Sequence, residues 1–159
     1  MVAYLLNGAF LIFITAESLK QKKYRYTAAA VIATMYFIFA IMQNNYNLVA
    51  NAQVLGWIQK GILVLFAGCM AFVLVRSANR KMDVLAFLFS CVACACRFLR
   101  SFAFQLYNEN IQIPGADVLA VHQEYLTYYA LADALTNFAL IVVLFCVAWQ
   151  LGKSKATDS

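Results

Sequence analysis

Arg97, Arg100 and Asp133 are the side chains of this sequence whose type and placement could do chemistry. Each lies inside an apolar run, the two arginines in residues 84–107 and the aspartate in residues 126–151. A lone charge at the centre of a bilayer costs about 2.5–3.5 kcal/mol on insertion scales, so such residues pair, reach water or serve a ligand. An Arg–Asp pair, with an amide and a hydroxyl to take the spare donors, removes most of that cost. Counted along ideal helices, Arg100 and Asp133 both fall about 10 Å below the outer boundary, while Arg97 and Asn137 fall about 15 Å below it. The spacing therefore predicts that Asp133 pairs with Arg100 and that Thr136 and Asn137 hold Arg97. Lys60, in the run 54–75, falls at the same depth. Three cations then meet one carboxylate, and Glu124, water, lipid head groups, a partner's acid or an anionic ligand could balance the rest.

Periodicity supports the same site. His122, Tyr129, Asp133, Thr136 and Asn137 fall within about 100° on one helix face, with Leu131, Leu135 and Phe138 opposite. Ser90, Cys94, Arg97 and Ser101 line a stripe of the preceding run, with Arg100 on its flank. Lys60 shares its face with Ala67 and Ala71, which points it at other helices; snorkelling to the outer interface is the alternative. A second polar set, His122 and Glu124 with Tyr129, marks the outer side of the last run. His122 lies about 16 Å along the axis from Asp133, too far for both to hold one atom. No metal or other cofactor is expected: the five cysteines, Cys69, Cys91, Cys94, Cys96 and Cys146, all sit in apolar runs and read as small core residues.

The surrounding elements follow from composition. Of 159 residues, 65% are apolar and 12% charged, whereas a soluble domain carries roughly 25% charge. The mean hydropathy is +0.75, and the apolar runs are near the length that crosses a bilayer. We read an all-α, polytopic bundle of five transmembrane helices, over about 2–19, 27–43, 54–75, 84–107 and 126–151. Residues 1–152 form one domain and 153–159 a short, frayed cytoplasmic tail. Alanines 29, 33 and 40 recur at helical spacing on the second run and admit a close neighbour. Pro114-Gly115 marks a turn, beyond which the last helix could begin as early as Ala116 and reach about 54 Å.

Charge sets the orientation. Nine of twelve basic residues lie in the first loop, the third loop and the tail, and the second and fourth loops have none. With five spans this places the N-terminus outside and the C-terminus in the cytoplasm, in an inner or plasma membrane. A net charge of +5 distributed in this way argues topology and not nucleic-acid binding. The reading that follows is a non-catalytic accessory, scaffold or immunity/exclusion-type factor in the lipid bilayer, acting through a partner membrane protein or a homo-oligomer. A small anion channel or carrier with a basic outer pocket is the alternative, and a membrane-embedded enzyme pairing His122 with Asp117 or Glu124 is the third.

Overall fold

The computed structural model describes residues 2–45, 52–77, 80–115 and 117–157. The chain folds into five helices: α1 (Val2–Lys20), α2 (Tyr24–Asn45), α3 (Ala52–Val75), α4 (Arg80–Asn110) and α5 (Val118–Thr157). No strand occurs among the described residues. Four helices are long and apolar enough to cross a membrane, over Tyr24–Met42, Val54–Val75, Lys81–Asn110 and Val118–Lys153. The first expected span falls on α1, which is not among these four, so four of the five expected spans have a helix of that kind. The uncharged connection expected at 44–53 lies largely outside the described residues.

Local chemistry explains the ends. Lys22 takes a left-handed conformation (φ 55°), and the Lys23 and Lys22 amides return to the carbonyls of Ser18 and Leu19 at 2.8 and 3.1 Å. That is a Schellman closure, which turns the chain from α1 into α2 in three residues. Gly115, at φ 83°, supplies the positive angle of the Pro114-Gly115 turn. Asp117 then caps α5: its Oδ1 accepts from the Leu119 and Ala120 amides at 3.1 and 3.2 Å. The last helix therefore starts close to where the sequence allowed. Its other end differs from expectation, because the polar tail continues as helix from Lys153 to Thr157. A helix already nucleated by a packed span propagates through Lys and Ala at little cost.

Each helix packs on its neighbours in the chain, and α1 also packs on α5, which closes a five-membered ring. One end of the ring is tied by polar contacts from the start of α2. Gln21 Nε2 donates to the Leu151 carbonyl at 3.0 Å, Arg25 Nη1 to the Arg76 carbonyl at 2.6 Å, and the Tyr26 hydroxyl to Asp83 Oδ1 at 3.4 Å. Ends carrying Lys20, Val75, Asp83 and Leu151 therefore lie at one level. Above this level the interior is apolar, filled by Ile14, Phe66, Met70, Val73, Leu140, Val143 and Leu144.

The alanines of α2 do what their spacing implies. Ala29, Ala30 and Ala33 are buried, as is Ala40, whereas Val31 and Ile38 face outward. An Ala33→Leu variant should lose about 1–3 kcal/mol of stability through overpacking. Val31→Leu should stay within about 0.5 kcal/mol. Thermal unfolding in lipid nanodiscs measures both, and an unchanged Ala33→Leu midpoint would show that α2 is not closely packed.

Candidate functional site

The site begins with α5. Its Asp133 carboxylate projects towards α4, where a single oxygen serves two arginines. Arg100 Nη1 donates to Asp133 Oδ1 at 2.7 Å, and Arg97 Nη1 lies 3.6 Å from the same atom. The first is a short charge-assisted bond, the second an ion pair held by charge. Both guanidinium side chains are buried (10% and 5% exposed), whereas the carboxylate side chain is 31% exposed. The face of the Tyr129 ring covers Arg100, with the guanidinium carbon 3.6 Å from the ring centre. Desolvated cation–π contacts of this kind contribute about 2 kcal/mol.

Two of the expected supports act differently from the sequence reading. The Thr136 hydroxyl donates to the Ala132 carbonyl at 2.8 Å. Asn137 Nδ2 donates to the Asp133 carbonyl at 2.9 Å and reaches Oδ2 at 3.4 Å. Both side chains thus spend these donors within α5, where an i to i−4 bond is always in reach. Asn137 steadies the acid, and Arg97 reaches that acid itself.

Lys60 comes from α3 and is buried. Its ammonium sits 3.5 Å from the centre of the Trp57 ring, one turn nearer the N-terminal end of α3, and 5.7 Å from that of Phe98 on α4. It lies in Coulombic range of Arg97. The lysine is therefore packed between α3 and α4, with its ammonium turned towards the N-terminal end of α3. Among the described residues no carboxylate stands within ion-pair distance of its nitrogen.

Three buried side chains join this level that charge patterning alone does not reveal. Tyr36 of α2 lies in Coulombic range of Arg100. Gln59 of α3 and Asn7 of α1 are 0% and 1% exposed, and neither side-chain amide has a hydrogen-bond partner at its nitrogen or its oxygen. The signal that could have found the last two is an isolated amide within an apolar run.

The outer set is placed elsewhere. His122 and Glu124 are exposed. His122 packs against Tyr107 at 5.8 Å, Tyr107 stacks on Tyr125 at 4.7 Å, and Tyr125 meets Tyr129 at 5.7 Å. These rings run as a seam between α4 and α5, from the Arg100 guanidinium towards the hairpin tip. Behind the seam, on the opposite side of α5 from Asp133, a groove of about 390 Å³ opens between the two helices. Leu99, Phe102, Leu131 and Leu135 wall it, with Cys96, Ala103 and Ala132 among its small residues and Glu124 with Asn110 in its polar lining. Among the cysteines, Cys96 and Cys146 are buried, while Cys91 faces outward.

Comparison of the chain with protein-family models, with curated proteins and with solved structures finds no match.

Removing Asp133 takes the shared carboxylate from two buried arginines at once. Asp133→Ala should cost about 3 kcal/mol, the lower end for a broken buried pair because the carboxylate is partly open. The triple variant Asp133→Ala/Arg97→Met/Arg100→Met should recover at least half of that loss. Equal destabilisation of the single and triple variants, read by unfolding in nanodiscs, removes the ion-pair account.

Proposed function

We propose that this protein is a five-span integral protein of the cytoplasmic membrane, N-terminus outside and C-terminus inside, that works without chemistry of its own by binding one helix of another membrane protein. The observation that carries this reading is the overhang of the α4–α5 hairpin. From Asp83 to Asn110, and from Leu151 up to Val118, these helices rise about 40 and 50 Å, against about 34 Å for α3. The overhang still exposes Leu106, Ile113, Val118, Leu119 and Leu126. An apolar flank that continues beyond the lipid calls for a protein cover.

Charge selects the kind of partner. Between Arg100 and Lys153 the sequence carries Glu109, Asp117, Glu124 and Asp133 and no lysine or arginine. A second copy in the same orientation would set acid against acid at the groove's mouth. The fitting occupant is an apolar helix with a basic residue near its outer end, docked along Leu99, Ala103 and Leu131. A through-channel has less support, since apolar side chains fill the interior towards the tied end.

Mild solubilisation should give a stoichiometric complex of two different chains. Leu131→Trp, which fills the groove, and Glu124→Lys, which reverses its rim, should each dissolve that complex while leaving the helical circular dichroism intact. A bare monomer, a homo-oligomer, lipid alone in the groove, or a complex indifferent to both changes would overturn the proposal. Orientation has its own measurement. In a cysteine-free background, Gln112→Cys should react with an impermeant thiol reagent in intact cells, and Ser77→Cys only after permeabilisation. The reverse pattern would invert the topology.

A further inference from the structure

The interior of the ring changes character at one level. Measured from the tied ends of their helices, Asn7, Tyr36, Gln59, Lys60, Arg97, Arg100 and Asp133 lie about 18–27 Å up, a slab about 9 Å thick. All five helices contribute to it. Among the described residues Asp133 is the one carboxylate that falls there: Glu17 and Asp83 belong to the tied end, and Glu109, Asp117 and Glu124 to the opposite one. Three buried cations therefore share a level with a single acid, and that acid already serves two of them.

The uncharged members show the same imbalance. Gln59 and Asn7 are as buried as the apolar core, yet all four of their amide atoms lack a hydrogen-bond partner. Orphaned polar atoms in a close-packed interior are costly, and native proteins resolve them with ordered water or a bound group. Two orphaned amides at a level with surplus positive charge ask for an acceptor carrying negative charge. Their oxygens ask in addition for a donor, which water supplies.

We propose that this slab is a binding site for a small hydrated monovalent anion of chloride's class. Lys60, Arg97 and Arg100 supply the charge, Gln59 and Asn7 turn their amide nitrogens to the ion, and water bridges their oxygens. Closure of the ring between α1 and α5 keeps a lipid head group, tethered to its chains, out of the interior. The apolar core beneath it, from Ile14 to Val73, makes it a site reached from the outer side and not a conduit. The site and the groove lie on different faces of α5, and each can be filled without the other.

The test uses the full chain in phosphatidylcholine nanodiscs. Chloride replaces gluconate at constant ionic strength, and thermal unfolding and chloride-35 line broadening are followed together. A saturable rise in the unfolding midpoint is expected, together with broadening that bromide relieves by competition. Lys60→Met should weaken the apparent affinity roughly tenfold. Gln59→Leu should abolish the chloride response while its midpoint in gluconate equals or exceeds that of the parent, because leucine fills the volume with no orphaned atom. Asn7→Leu should do the same, and the broadening of the parent needs no variant at all. An unsaturable response, an undiminished response in Gln59→Leu and Asn7→Leu, or a midpoint raised by phosphatidylglycerol that then blocks chloride would each overturn the site.

Discussion

A carboxylate shared between two guanidiniums is the contact on which the arrangement of this chain turns. In a bilayer, helices gain little from burying apolar faces against one another, since lipid tails offer the same environment. Charge is different, because no lipid tail can satisfy it. Asp133 Oδ1, at 2.7 Å from Arg100 and 3.6 Å from Arg97, fixes which face of α4 meets which face of α5. With that face set, Leu99 and Leu131 are turned to the other side, and the groove is a consequence of the pairing.

The short connections do the rest. Three residues separate α1 from α2, so these helices can only be antiparallel neighbours. Chain order repeated around the ring brings α5 back to α1, and Gln21 holds that seam at the Leu151 carbonyl. The ring is polarised along its axis. Towards the tied end it is filled by alanine, leucine and phenylalanine, and in its other half every helix contributes a polar side chain. The same closure that lets Ala30 and Ala33 bury their faces also shuts Asn7 and Gln59 away from water.

Much of this was legible in the sequence because charge and helical rise are both countable. Arg100 and Asp133 could be matched by depth before any fold was known, since 1.5 Å per residue from a polar boundary needs no tertiary knowledge. The alanine stripe of α2 and the turn at Pro114 were legible for similar reasons, being periodic or conformationally exclusive. The partners of Thr136 and Asn137 were not. A side chain on a helix can satisfy itself one turn back, and only geometry separates that from a bond to the next helix. Asn7 and Gln59 escaped for another reason: a single amide in an apolar run has no period, and its importance depends on which helices close around it. The helical tail beyond Lys153 was hidden because polar residues extend a helix already anchored by its span.

The hairpin joins two features of opposite character through a stiff seam. Tyr129 covers Arg100 at one end, and Tyr125 and Tyr107 carry the stack outward to His122. Aromatic side chains have two torsions to fix, so a stack of them loses little entropy on ordering and yields little to strain. Tyr125 and Tyr107 also line the groove. A load on the groove side is therefore borne by rings whose last member rests on a buried guanidinium, and that guanidinium is held by Asp133. Rotation of α5 about its axis that displaced Tyr125 would carry Asp133, two turns along, away from both arginines. The ion pair therefore resists the rotation that would close or widen the groove, and the groove's shape is set from inside the ring.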